Sequence, residues 1–163
     1  MGFQRIFTDI AANSWSAARV VPIRKRWMVL RTLGVDAEES VILPGCYFGG
    51  TNIHIGLGSF ISNNCYFDNA APIYIGEGVD VGPNVQFITG THEIGSSRRR
   101  AGVPSHGPIR VNDGAWIGAG VTIQPGVTIG AGSIVNAGSV VTKDVSPDSL
   151  YRGVPATFVR SLH

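Results

Sequence analysis

Residues 111–145 read VNDGAWIGAGVTIQPGVTIGAGSIVNAGSVVTKDV, and an aliphatic side chain returns every six positions, at Val111, Ile117, Ile123, Ile129, Val135 and Val141. Four residues after each stands a small or β-branched one: Ala115, Val121, Val127, Ser133, Ser139 and Val145. Turn formers such as Gly118, Gly126, Gly130 and Gly132 fill the places between. A period of six fits neither the helix, at about 3.6, nor the simple strand, at about 2, so it marks a repeat architecture. A strand of roughly four residues and a corner of about two make one flat face per hexapeptide. The aliphatic residue and the small residue point inward, and the corner favours Gly or Asn because φ can be positive there. Three faces close a triangular coil. Residues eighteen apart should then stack, Val111 on Ile129, Ile117 on Val135 and Ile123 on Val141, with coils about 4.8 Å apart.

Outward from that stretch the phase weakens. Leu43, Gly49, Ile55, Ile61 and Phe67 are six apart, so the repeat is expected to begin near Val41. It slips by two at Ala70-Ala71-Pro72 and resumes at Ile75, Val81 and Phe87. Residues 88–110 carry no hexapeptide phase and include Ser96-Ser97-Arg98-Arg99-Arg100, which predicts a loop thrown out from a corner, of a length that is usually functional. Past Val145, Pro147 and Asp148 turn the chain, and a short helix is expected over Ala156 to Leu162. The expected organisation is an N-terminal helical lid at 1–40, an all-β helix of roughly five coils at 41–145 with the protruding loop at 88–110, and a tail at 146–163. Five coils stand about 24 Å tall.

The first 35 residues differ in kind: poor in Gly, rich in Arg, with Asp9 the sole acid before Asp36. Apolar residues from Ile6 to Leu33 recur at loosely helical spacing, Pro22 should split them into two helices, and Asn13 or Ser14 suits a helix cap. Two uses are open for this segment. It can close the end of the first coil as a lid, or rest as a basic amphipathic surface on an anionic membrane.

The totals narrow the function classes. Gly is 22 of 163 residues, about twice the usual ~7%, as many corners require, and 163 residues make one domain. A net charge of +2 gives no ground for a nucleic-acid partner. Cys46 and Cys65 form no metal spacing and no disulfide framework, which suits reduced thiols in the cytoplasm. No apolar run approaches the ~20 residues of a membrane span.

Of the four histidines, His163 is terminal, His54 falls between inward Ile53 and Ile55 and should face solvent, and His106 lies within the loop. His92, in Ile88-Thr89-Gly90-Thr91-His92-Glu93, stands at the loop's root, where a coil wall opens. An imidazole there is a natural general base for a hydroxyl or amine nucleophile. From geometry alone, a lone histidine beside a loop is more often a solvated surface residue.

The phased hexapeptides, closing in Gly-Ser-Val-Val-Thr-Lys-Asp-Val and then Gly-Val-Pro-Ala, resemble the hexapeptide-repeat acyltransferases, particularly galactoside and maltose O-acetyltransferases and nodulation and capsule acetyltransferases. The resemblance spans about residues 40–160. It implies a left-handed parallel β-helix, an exception to the right-handed crossover, a homotrimer with sites between subunits, and acetyl-CoA as co-substrate for a sugar or glycan hydroxyl, with a xenobiotic or an amino sugar as the alternative acceptor. By position it makes His92 the catalytic base and Trp116 a wall of the acceptor and pantetheine channel. It places Ala119 and Ala137 backbones on the pantetheine arm, and Thr142, Lys143 and Arg160 near the nucleotide end of coenzyme A. The sugar-binding asparagine falls at Asn63 or Asn64, and Asp68 matches a carboxylate that grips acceptor hydroxyls. Each has a plainer use as well: the asparagines and Asp68 suit corners, the alanines suit tight turns, Trp116 suits surface cover, and Lys143, Arg160 and Arg98–Arg100 suit solvent. A zinc γ-type carbonic anhydrase needs three histidine ligands, and only His92 and His106 are near one another in sequence. A non-catalytic solenoid scaffold would have no use for the Thr-His motif, the loop and Trp-Ile-Gly-Ala together.

Overall fold

A computed structural model of the protein describes residues 13–14 and 21–162. The first predicted helix, with Ile6, Ile10, Trp15 and Val20, and His163 lie outside the described residues. Pro22 precedes a short 3-10 turn, Ile23–Lys25, which runs into α1, Arg26–Thr32. Leu30 and Arg26 are the buried residues of that helix, which packs on the open end of the first coil.

The rest is a three-faced prism. The first face stacks β1 (Asp36–Ala37), β4 (Ile53–Ile55), β7 (Ile73–Ile75), β12 (Ile109–Val111) and β15 (Thr128–Ile129). The second stacks β2 (Val41–Ile42), β5 (Phe60–Ile61), β8 (Asp80–Val81), β13 (Trp116–Ile117) and β16 (Ile134–Val135). The third stacks β3 (Tyr47–Phe48), β6 (Tyr66–Phe67), β9 (Gln86–Phe87), β14 (Thr122–Ile123) and β17 (Val140–Val141). All of these neighbours pair in parallel. Val111 aligns with Ile129, Ile117 with Val135 and Ile123 with Val141, the eighteen-residue stacking that the period demands. Five complete coils carry a partial sixth, in which Val145 bridges to Ile129.

Inside, the six-phase aliphatic residues and the small residues four further on are buried from Ala115 to Val145. Phe48, Phe67 and Phe87 form a second kind of column, with successive ring centroids 4.9 and 4.7 Å apart and nearly parallel planes. Cys46 and Cys65 occupy the small inward position of the first two coils. Their thiols donate to the carbonyls of Ser62 and Gly82, and the hydrogen bond with Cys46 together with burial pushes the Cys65 thiol far above its ordinary range. On the first face the outward residues interact along the prism axis: Asp36 accepts from or pairs with His54 at 2.8 Å, and the Arg110 guanidinium lies 4.1 Å over the Tyr74 ring.

Three expectations need correction. In the first coil Ile42 and Phe48 take the inward aliphatic and aromatic places, where the phase pointed to Leu43 and Gly49. Gly49-Gly50-Thr51-Asn52 lengthens that corner, so Phe48 and Ile55 are seven apart and the six-count run backward from Ile55 lands one residue off. Residues 88–110 are not a bare loop. β10 (Gly90–Ile94) and β11 (Ala101–His106) pair antiparallel into a hairpin arm, with the arginines at its tip. Among the described residues the tail holds no helix either. β18 (Ser149–Gly153) lies on β16, and β19 (Ala156–Ser161) folds back antiparallel to it. Thr157, Phe158 and Val159 are β-favouring types, and the edge of the second face offers them a ladder that a free helix would leave unpaired.

Candidate functional site

Between the second and third faces, one corner repeats in every coil. Gly45, Asn64, Asn84, Gly120 and Gly138 hold it with positive φ, from +58 to +86°. The residues just before them form a line along the prism: Pro44, Asn63, Pro83, Ala119 and Ala137. The backbone confirms the alignment, because Asn84, Gly120 and Gly138 donate to the carbonyls of Asn63, Pro83 and Ala119. Asn64 therefore does a corner's work, and Asn63 is the asparagine in line with the two alanines. Its Nδ2 donates to the Pro44 carbonyl at 3.3 Å.

A groove of about 530 Å³ runs along this edge, lined by Pro83, Trp116, Gly118, Ala119, Asn136 and Ala137 among others. The Trp116 indole is 55% exposed on the outer side of β13. Among the described residues the N–H groups of Ala119 and Ala137 take no hydrogen-bond partner, so two unspent donors stand one coil apart on the groove wall. Gly118 has to be glycine, since a Cβ there would run into the backbone N–H of Ala137.

The next edge, between the third and first faces, is built differently. The arm leaves the prism here, and Asp68, one coil below, anchors its root. Oδ2 of Asp68 accepts from the Gly90 N–H at 2.7 Å, the Thr89 N–H at 3.1 Å and the Thr89 hydroxyl at 3.2 Å. Oδ1 takes no bond among the described residues. His92 follows two residues after Gly90 and is exposed on β10 opposite Pro104, with no hydrogen bond to the described residues, Glu93 included. His106 pairs with Gly90 across the arm.

The structure thus brings His92 and Asp68 together on one edge, and Asn63, Trp116, Ala119 and Ala137 on the other. Thr142 and Lys143 are exposed at the fifth coil of the His92 edge, immediately after β17. Arg160 lies on β19 opposite Leu150, at the end of the second face.

Tyr66 was missed from the sequence. It projects outward from the third face between Asn63 and Asp68, 39% exposed, and its ring stacks on Tyr47 of the coil below at 5.0 Å and 8°. Burial, the Asp68 carboxylate and Tyr47 push its phenol above the ordinary value. The signal was present: with Cys65 and Phe67 inward, strand alternation turns Tyr66 out.

Fold and groove define a hexapeptide solenoid with an open groove along one edge. A family model for bacterial transferase hexapeptides (six repeats) matches residues 108–143. The galactoside O-acetyltransferase of Escherichia coli is 34% identical over 143 residues, covering 86% of this chain and 70% of that protein. Nodulation protein L of Rhizobium meliloti is 43% identical over 125 residues, 76% of this chain and 68% of that one. A hexapeptide-repeat acetyltransferase of Vibrio cholerae, crystallised with acetyl coenzyme A, superposes with a TM-score of 0.83 at 39% identity, over 98% of this chain and 86% of that chain. The chain belongs to the hexapeptide-repeat acetyltransferases.

Proposed function

We propose that the protein transfers the acetyl group of acetyl-CoA to a hydroxyl of a sugar or glycan, with His92 as general base. The observation that carries this reading is the pairing of a histidine at an anchored arm root with a groove that bears two free backbone donors. An imidazole nitrogen of His92 takes the hydroxyl proton as the acceptor oxygen attacks the thioester carbon. Charge gathers on the carbonyl oxygen, where backbone N–H groups stabilise it. The C–S bond then breaks and the imidazolium returns its proton to the thiolate, so the acetyl ester and free coenzyme A leave with protons balanced. Oδ1 of Asp68, and the amide of Asn63 from the facing edge of a neighbouring copy, are the groups assigned to acceptor hydroxyls.

Ala119 and Ala137 offer their N–H groups to the amides of the pantetheine arm, with Trp116 closing one side. Lys143, Thr142 and Arg160 are the groups assigned to the nucleotide and its phosphates. These residues lie on different edges of one prism, which supports a homotrimer in which the His92 edge of one copy faces the Trp116 edge of the next. The unbridged, buried Cys46 and Cys65 suit a reducing compartment, so the cytoplasm is the proposed location. No helix among the described residues is long and apolar enough to cross a membrane.

The test is thiol release from acetyl-CoA against a panel of sugars, amino sugars and xenobiotic alcohols, with His92→Ala in parallel. Release with a sugar hydroxyl, lost in the variant, supports both transfer and base. Turnover near wild type in His92→Ala would remove the base, and selective release with an amino sugar would replace O- by N-transfer.

A further inference from the structure

Acetyl transfer by His92 leaves the second imidazole of the arm without a task. Across the hairpin Gly90 pairs with His106 and His92 with Pro104, and the register shifts only beyond His92. Residues directly opposite in an antiparallel pair share a face, and alternate residues along a strand return to it. His92 and His106 therefore stand on one face of the arm as diagonal neighbours, about 7–8 Å apart. Thr91 and Ser105, which pair between them, fall on the other face. Gly90 shows where the shared face looks. A Cβ there would lie 3.1 Å from Oδ2 of Asp68, 3.3 Å from the Ala70 methyl and 4.0 Å from Nδ1 of His106. The face that carries both imidazoles is thus turned onto the Asp68 carboxylate at the arm's root. Both histidines are exposed, and neither ring makes a hydrogen bond among the described residues.

We propose that His106 is an acceptor-binding residue, which holds a hydroxyl next to the one that His92 deprotonates, so that the enzyme selects acceptors with a vicinal pair of hydroxyls. This rests on the sugar-acceptor reading. A neutral imidazole has an N–H donor on one nitrogen and a lone pair on the other, so it serves a hydroxyl in either sense. Hydrogen bonds of about 2.8 Å, one at each end of a vicinal diol, span the diagonal between the rings, which one hydroxyl alone does not. A pyranose carries such pairs around its ring, whereas an alcohol with a single hydroxyl engages only half of the arm. His106 moves no proton in the transfer. It fixes the rotation of the acceptor about the attacking oxygen. His92, His106 and Asp68 belong to one edge of one copy, so the diol is gripped by a single arm whichever copy supplies the facing groove.

The experiment takes a methyl hexoside as acceptor, with glucoside, galactoside and mannoside tried in turn, and locates the acetylated hydroxyl by NMR. Steady-state kcat and KM are then measured on the parent and on each monodeoxy derivative, in the wild type, His106→Ala and His106→Gln. Loss of a hydroxyl adjacent to the acetylated one should cost the wild type about threefold to tenfold in kcat/KM, the span of one hydrogen bond. His106→Ala should cost the parent a similar factor, through KM with kcat nearly kept, and should cost that deoxy derivative nothing further. His106→Gln, which restores a donor and an acceptor, should regain part of the loss. An equal loss on the parent and on every deoxy derivative overturns the assignment, since it marks a structural role in the arm. So does a loss confined to kcat. Acetylation of no hexoside by the wild type fails the sugar-acceptor reading itself, whereas an active wild type indifferent to His106→Ala fails this inference alone.

Discussion

The two edges that flank the third face solve opposite problems with the same hexapeptide. On the edge of Asn63, Ala119 and Ala137, side chains are trimmed until the backbone is the surface, and the useful groups are two N–H donors with nothing to bond. On the edge of Asp68 and His92 the proposed roles fall to side chains: a carboxylate that fastens the arm and an imidazole left exposed by it. A coenzyme arm made of amides can be held by a bare corner, whereas moving a proton needs a titratable group. Substitutions should therefore be felt very differently on the two edges.

His92→Ala is the most severe expected change, a loss of about 10²–10⁴ in kcat with the fold intact, read by steady-state thiol release and circular dichroism. Gly118→Ala is next. It pushes a methyl into the Ala137 N–H, and a strained core of this kind costs about 1–3 kcal/mol, seen as a lowered Tm together with a raised KM for acetyl-CoA. Asp68→Ala leaves two N–H donors and one hydroxyl without their acceptor, at about 1–3 kcal/mol. Its mark is faster amide exchange at Thr89 and Gly90, ahead of the coils themselves, and a raised acceptor KM. Ala137→Ser is the mildest, within about 0.5 kcal/mol by denaturant unfolding, since what faces the groove there is backbone. A large loss of coenzyme affinity in that variant would break the contrast between the edges.

How far the chain could be read follows the same division. Inward positions obey the period, so the stacking of Val111 on Ile129 and of Ile123 on Val141 was legible from spacing alone. The slip at Ala70-Ala71-Pro72 was legible too, because Phe67 and Ile75 on either side kept the phase. Phe48 was not: a seven-residue step through Gly49-Gly50 offers no periodic cue, and Gly49 stands where the count expected an inward residue. The arm was read as bare loop because Pro104 and the three arginines obscure a strand pattern that exists mainly through pairing with its partner. The tail was read as helix for want of any sign that the second face had a free edge to receive it. The outward place of Tyr66 followed from strand alternation, but its stacking on Tyr47 did not, because outward residue types change from coil to coil.

The side chain of Asn13 accepts from the Phe48 N–H at 2.8 Å and donates to its carbonyl at 3.0 Å. One carboxamide thus stands where a whole strand would otherwise lie, satisfying at the bottom of the third face the donor and acceptor that each coil above satisfies with its neighbour. A solenoid is a template that invites its own continuation, since any chain of the same period fits its end. At this end the Phe48 backbone is spent on the Asn13 carboxamide, and α1 packs on the coil beside it. Resistance to end-to-end stacking is then a task for the segment that covers the first coil rather than for the repeat.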